Sequence, residues 1–153
     1  MTPPDGDLSS TIALLAAVPL FKHLAPDELR LIFAVGVERN LPPRTMLGRG
    51  GERIDALWVI LSGQVDVTSP LTNAVSTITA PQIWGAASLV APFQPNGSAV
   101  TRTECRTLQL NAPDVRALAE QNPRLGAQLY HALATHVFRR LRDLTAAAQR
   151  RRA

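Results

Sequence analysis

The sequence predicts an α+β fold that is mainly β, with helices on both sides of a small barrel or sandwich. Three observations lead to this prediction. Residues 40–110 contain short apolar runs separated by glycine and proline, as in compact β structures. Segments 11–36 and 113–148 carry apolar residues at helical spacing. The 153 residues, 46% apolar and 18% charged, suit one domain, predicted over residues 9–148.

The amino-terminal part is predicted to hold a loose arm and two helices. Residues 1–8 are polar and contain two prolines, which is typical of an arm. Ser9 or Ser10 is suited to cap a first short helix. Pro26 is suited to the first turn of a second helix, which Gly36 is expected to end.

The middle of the chain is predicted to form the β structure. Ala56 to Leu61 is a continuous apolar run closed by a glycine at residue 63. Val65 and Val67 then alternate with polar residues, as in a half-buried strand. Trp58 and Trp84 are interpreted as core residues or as part of a pocket wall.

The carboxy-terminal part is predicted to be helical, with a break at Asn122-Pro123 and a basic tail over residues 149–153. The long helix has an apolar stripe at Leu125, Leu129, Leu133, Val137, Leu141 and Leu144. Its later half approaches heptad spacing and predicts a homodimer through Leu133, Val137, Leu141 and Leu144. A helix that packs only on its own barrel is the alternative.

Five segments occur in a fixed order along the chain: residues 18–29, Gly51 with the stretch 55–65, residues 83–89, residues 97–100 and Asn122-Pro123. Together they resemble the cyclic-nucleotide-binding domain family. The first looks like the family's entry helices, and the second is similar to its G-D-x-x-D-x-L-Y-x-I-x-x-G-x-V motif. Residues 83–89 stand where the family has F-G-E-x-x-L, and residues 97–100 stand where it has R-S-A-x-V. The last segment matches the break before the family's long helix.

The resemblance covers about residues 12–145 and implies a jelly-roll β-roll, a double-stranded β-helix, followed by a long helix. It also implies a ligand pocket, which comprises Gly85, Ala86, Ala87, Ser88, Leu89, Gly97, Ser98 and Ala99. Arg102 lies an even number of residues from Ser98 along a strand and is a candidate substitute phosphate ligand.

The resemblance also reveals two missing charges. In the family, an arginine pairs with the cyclic phosphate and a glutamate accepts a bond from the ribose hydroxyl. Here Gly97 occupies the arginine position and Ala86 the glutamate position. Each such bond contributes roughly 1.5–3 kcal/mol, so their loss weakens binding about a hundredfold to ten-thousandfold. Cyclic AMP and cyclic GMP are therefore disfavoured, and no cofactor is predicted. Restoring both side chains is expected to raise affinity if the frame is intact.

Other functions are disfavoured by the sequence. Ser98 lacks a G-x-S-x-G context, so no enzyme activity is predicted. His131 and His136 are five residues apart, about 140° around a helix, so no metal pair is predicted. One cysteine, Cys105, and a non-basic amino terminus indicate the cytoplasm, and no run reaches the ~18 apolar residues of a membrane span.

The net charge of +4 has a large contribution from arginines near the carboxy terminus. A solvated helix end is one interpretation, and contact with an acidic partner is the other. Nucleic-acid binding is disfavoured without a further domain.

The predicted function is that of a stand-alone regulatory or sensory domain. Its ligand would be less anionic than a cyclic nucleotide, because the two positions that are charged in the family hold uncharged residues here. A protein-interaction or dimerisation module with a vestigial pocket is one alternative. The sensor part of a truncated transcription regulator is another.

Overall fold

The computed structural model describes residues 5–70 and 72–152 of the chain. Four α-helices are present in this part: α1 Asp5–Ala16, α2 Pro26–Ala34, α3 Ala112–Gln121 and α4 Pro123–Arg152. The strands β1 to β8 are Gly36–Leu41, Met46–Gly48, Ala56–Ser62, Gln64–Thr68, Val75–Thr79, Gln82–Trp84, Ser98–Thr101 and Cys105–Asn111. Two short 3-10 helices span Pro19–Phe21 and Ala86–Leu89.

The strands form two four-stranded sheets that face each other as a β-roll. One sheet has the order β1-β8-β3-β6, and the other has the order β2-β7-β4-β5. Neighbouring strands in both sheets pair antiparallel. The helices precede and follow this roll in the sequence. The predicted fold class, a β-roll between flanking helices with a long carboxy-terminal helix, is confirmed.

Strand β3 is apolar on both faces because it separates two cores. Successive side chains of a strand point to opposite faces. Leu57, Val59 and Leu61 pack into a core shared with the helices, which we call the helix core. Trp58 and Ile60 pack into the space between the two sheets, which we call the roll interior. The continuous apolar run in the sequence therefore reflects burial on both sides of one strand.

The helices cover the outer face of the sheet that contains β3. Leu15 of α1, Leu29 and Ile32 of α2, and Leu125 and Leu129 of α4 are fully buried there. Only the first part of α4 takes part in this packing, since its buried residues end at Leu133. The rest of α4 therefore presents its apolar side chains to solvent.

Several predicted boundaries are corrected by the structure. Helix α1 begins at Asp5, so Ser9 and Ser10 lie inside it, and residues 5–8 of the predicted arm are helical. The half-buried Leu8 packs against the helix core, which extends the helix towards the amino terminus. Residues 1–4 of the predicted arm lie outside the described residues.

The remaining differences concern the ends of the roll and of α4. Strand β1 already begins at Gly36, where an added Cβ would lie 2.5 Å from Leu108 Cδ1, so glycine allows this close packing. Helix α3 begins at Ala112, one residue before its predicted start. Helix α4 continues to Arg152 through most of the predicted tail, as the strong helix propensities of alanine and arginine favour.

Packing of α2 on the helix core should dominate the stability of this region. Leu29→Ala is expected to lower the free energy of unfolding by about 2–5 kcal/mol, because it leaves a cavity at a fully buried position. Leu31→Ala on the exposed side of the same helix should change it by less than about 0.5 kcal/mol. Urea unfolding of both variants gives the comparison, and equal losses would contradict the assigned packing.

Candidate functional site

The short 3-10 helix Ala86–Leu89, which we call the cassette helix, follows β6 at the rim of the roll. Gly85 precedes it with a φ of 92°, a left-handed conformation that favours glycine. A Cβ at Gly85 would also lie 2.8 Å from the backbone oxygen of Ala56. Glycine at this position therefore permits both the turn and the close approach of the cassette helix to β3.

Two predicted pocket residues attach the cassette helix to the domain. The buried Ser88 hydroxyl donates a hydrogen bond of 2.9 Å to the backbone oxygen of Ala56. The Leu89 side chain is buried in the helix core. Ala87, which precedes Ser88, is exposed. Ser88 and Leu89 therefore have structural partners within the domain.

The two positions that lack the family's charges are packed differently. Ala86 is half-buried and packs against the helix core. A Cβ at Gly97 would overlap the carbonyl oxygen of Thr68 and lie 2.9 Å from the carbonyl carbon. Because this neighbour is backbone, an arginine at residue 97 requires the chain itself to move. The backbone around residue 97 therefore does not accommodate an arginine. The gain in affinity expected from restoring both charged side chains is not supported at this position.

The other predicted pocket residues are also engaged. Ser98 Oγ accepts a hydrogen bond of 2.9 Å from the backbone N–H of Gly50. Ala99 is fully buried in the roll interior. The Arg102 guanidinium lies 3.4 Å from Thr77 Oγ1 and 4.0 Å from Asp66 Oδ1, on the outer face of the second sheet. The structure therefore places Arg102 at this surface pair rather than at the cassette helix.

Aromatic side chains pack together in the roll interior. The rings of Trp58 and Trp84 lie 5.5 Å apart at an angle of 44°, and those of Trp84 and Phe93 lie 6.4 Å apart at 54°. Trp58 is 8% exposed and Trp84 is 9% exposed. A Cβ at Gly48 would lie 2.5 Å from Trp84 Cη2, which shows how close the packing is. The interpretation of both tryptophans as core residues is confirmed.

The cassette helix is held by side chains from α3 and α4. Arg116 of α3 donates two hydrogen bonds to the Asp55 carboxylate, of 2.9 and 3.2 Å, and one of 2.6 Å to the backbone oxygen of Ser88. The hydrogen bond to Asp55 raises the pKa of the Arg116 guanidinium, which keeps it charged. Tyr130 of α4 donates a hydrogen bond of 2.9 Å to the backbone oxygen of Leu89. The sequence analysis did not identify these contacts.

Two grooves lie beside the cassette helix. One, of about 540 Å³, lies between the cassette helix, α3 and α4, with Leu89, Arg116 and Tyr130 among its lining residues. The other, of about 480 Å³, is bounded by the first 3-10 helix, β6 and α4. Its basic lining residues are Lys22, His23, His131, His136 and Arg139, and we call it the basic groove.

The histidines therefore come together in a way that their spacing on α4 did not indicate. His131 and His136 both line the basic groove although they are about 140° apart around the helix. In the described part of the chain, no three side chains of histidine, cysteine, aspartate or glutamate are placed to hold a metal ion. Within residues 5–70 and 72–152, no helix combines the length and apolar character needed to cross a bilayer.

The predicted dimer residues separate into two groups. Leu133 is 7% exposed and belongs to the helix core of its own domain, so its assignment to the interface is corrected. Val137, Leu141 and Leu144, which we call the α4 stripe, are 54%, 57% and 61% exposed. The structure thus leaves the α4 stripe without a partner in the described chain.

Comparisons with known proteins agree with this architecture. A sequence profile described as the cyclic nucleotide-binding domain matches residues 38–122. The catabolite activator protein of Thermus thermophilus superimposes with a TM-score of 0.73 at 27% identity, over 86% of this chain and 62% of that one. A cyclic nucleotide-binding domain from Methylobacillus flagellatus gives a TM-score of 0.74 at 20% identity, over 91% and 80% of the two chains, and shares the fold.

The chain belongs to the cyclic nucleotide-binding domain family, because the profile match covers more than half of it. A cyclic nucleotide-gated potassium channel of Mesorhizobium japonicum is 27% identical over 129 residues, which are 84% of this chain and 35% of the channel. Glutaminase 1 of Bradyrhizobium diazoefficiens is 30% identical over 129 residues, which are 83% of this chain and 21% of that protein. The chain therefore spans only a minor part of these relatives.

The stability of the domain should be sensitive to a single carbon atom added at residue 97, where the packing is close. Gly97→Ala is expected to lower the free energy of unfolding by about 1–3 kcal/mol, because its Cβ meets the Thr68 carbonyl. Asn96→Ala, at the exposed neighbouring position, should change it by less than about 0.5 kcal/mol. Thermal or urea unfolding measures both. A neutral Gly97→Ala would show that this part of the roll has room for a side chain.

Proposed function

We propose that this chain is a regulatory domain that does not bind cyclic AMP or cyclic GMP tightly and that signals through a homodimer formed by the α4 stripe. The aromatic packing in the roll interior is the observation that carries the first part of this proposal. Trp58, Trp84 and Phe93 occupy the space between the two sheets. A nucleotide base would have to displace side chains that are already packed against each other, which costs buried apolar area.

The polar side of the pocket supports the same conclusion. A cyclic phosphate is a monoanion and is held best by charge-assisted hydrogen bonds. Ala86 and Gly97 supply no charged side chain, and an arginine at residue 97 would overlap the backbone of Thr68. The hydroxyls of Ser88 and Ser98 already have backbone partners within the domain. These contacts leave little at the cassette helix to recognise a ribose phosphate.

The α4 stripe supports the second part of the proposal. Val137, Leu141 and Leu144 repeat at intervals of four and three residues, which places them along one side of the helix. Exposed apolar side chains in a row are unfavourable in water, and pairing with a second copy would remove them from it. A cytoplasmic setting is part of this proposal, since the free Cys105 thiol suits a reducing compartment.

A sensory role is the second candidate, and one set of contacts favours it. Arg116 and Tyr130 bond directly to the backbone oxygens of Ser88 and Leu89. A small molecule that displaced the cassette helix would break these bonds and would thereby alter the position of α4. The groove between the cassette helix, α3 and α4 is the place where such a molecule would act.

Calorimetric titration tests the ligand part of the proposal. We expect cyclic AMP and cyclic GMP to release or absorb little heat and to leave the melting temperature unchanged, because a tight ligand would raise it by mass action. Adenosine 5′-monophosphate, which lacks the cyclic phosphate, serves as a control for binding of a phosphate outside the roll. Saturable binding of a cyclic nucleotide in the low micromolar range, about −8 kcal/mol, would overturn this part.

Analytical ultracentrifugation tests the assembly. Leu141→Glu should convert a dimer to a monomer, because it places an unpaired charge inside an apolar interface. Gln149→Glu adds the same charge at an exposed position outside the stripe and should leave the dimer intact. A wild-type chain that remains monomeric over a wide range of concentrations, or an equal effect of both changes, would contradict the proposed interface.

A further inference from the structure

The basic groove combines nitrogen groups from two parts of the chain. Lys22 and His23 follow the first 3-10 helix, and His131, His136 and Arg139 project from α4. No aspartate or glutamate lines the groove. In the described part of the chain, neither Lys22 nor Arg139 lies within 4.0 Å of a carboxylate oxygen. The lining of the groove therefore contains two permanent cations, Lys22 and Arg139, and no carboxylate.

The uncharged residues that line the groove supply hydrogen-bond donors and an apolar surface. The Gln82 side-chain oxygen accepts a hydrogen bond of 3.0 Å from the backbone N–H of Ile83. The two N–H donors of the same side-chain amide therefore remain available to a ligand. Leu20, Ile83 and Ala86 add apolar wall. A groove of about 480 Å³ falls within the range of ~300–1,000 Å³ typical of small-molecule sites.

We propose that the basic groove binds a small organic phosphate, with the phosphate held by Arg139, Lys22 and the histidines and the organic part against the apolar wall. An arginine and several nitrogen donors around one concave surface are the usual means of holding a phosphate dianion. This site lies outside the roll interior, and it does not depend on the proposed function. A ligand there contacts α4 and the first residue of the cassette helix, Ala86, at the same time.

The groove stays accessible if the α4 stripe forms a dimer. Arg139 and Leu141 are two residues apart, which is about 200° around an α-helix. The basic groove and the α4 stripe therefore occupy nearly opposite sides of α4. Ligand binding and dimer formation are compatible on geometric grounds.

Nuclear magnetic resonance of the histidine side chains tests this site with pyrophosphate as the probe. The chain has 3 histidines, and all of them line the basic groove, so the imidazole signals of the untagged protein report on this groove alone. We expect saturable shifts of these signals on addition of pyrophosphate. Signals that stay unchanged at millimolar pyrophosphate would overturn the proposal.

Variants separate a built site from diffuse attraction to a basic protein. Arg139→Gln should weaken pyrophosphate binding about tenfold, since one charge-assisted bond is lost. Arg140→Gln removes the same charge from the adjacent residue, about 100° around the helix and outside the groove, and should change the affinity less than about twofold. Equal weakening by the two changes would overturn the proposal, and Lys22→Gln provides a second groove variant if Arg139→Gln does not fold.

Ala86→Glu supplies an independent comparison. The family resemblance implies that a glutamate here favours a nucleotide in the roll, whereas a carboxylate in the basic groove repels an anion. We expect Ala86→Glu to weaken pyrophosphate binding by about tenfold or more. An unchanged or higher affinity for pyrophosphate would place the phosphate away from residue 86 and would contradict the assigned groove.

Discussion

Burial of both faces of β3 is the constraint on which the other elements depend. Leu57, Val59 and Leu61 point to the helices, while Trp58 and Ile60 point between the sheets. Each such side chain contributes roughly 1.5–3 kcal/mol on burial. Together they are comparable with the ~5–15 kcal/mol by which a domain is stable. The helices and the second sheet are both needed to cover this one strand, which explains why the roll and its helices form a single unit.

The start of β3 also determines where the cassette helix lies. Asp55, just before the strand, pairs with Arg116 of α3, and Arg116 in turn bonds to the backbone oxygen of Ser88. Tyr130 of α4 bonds to the next carbonyl, that of Leu89. A charged pair that is partly buried and bidentate holds its partners in a defined geometry. The domain therefore retains a physical connection between the cassette helix and α4, whether or not a ligand enters the roll.

The long helix α4 has three environments around and along its length. Its first half contributes Leu125, Leu129 and Leu133 to the helix core. Further along, one side carries the exposed α4 stripe, and the nearly opposite side carries Arg139 at the basic groove. The proposed ligand of the groove and the proposed partner of the stripe would therefore contact the same helix.

Local patterns in the sequence determined the fold class and the helical flanks, and the resemblance to the family identified the two missing charges. Alternation, glycine and proline placement, and helical spacing act over a few residues and can be seen in the sequence. The α4 stripe also follows from this spacing, although Leu133, which was predicted with it, is buried in the helix core. Position 86 was identified as uncharged from the motif, and the structure places it at a groove that the motif does not describe.

Only the tertiary structure decides which groups each candidate residue contacts. The overlap at Gly97 involves Thr68 on β4, and the groove brings His23 to His131 and His136 from the opposite end of the chain. The pairing of Asp55 with Arg116 likewise joins residues 61 positions apart. Such contacts depend on how sheets and helices pack, and no short-range pattern encodes them. A sequence determines which surfaces must be buried, but the packing of those surfaces decides which side chains meet.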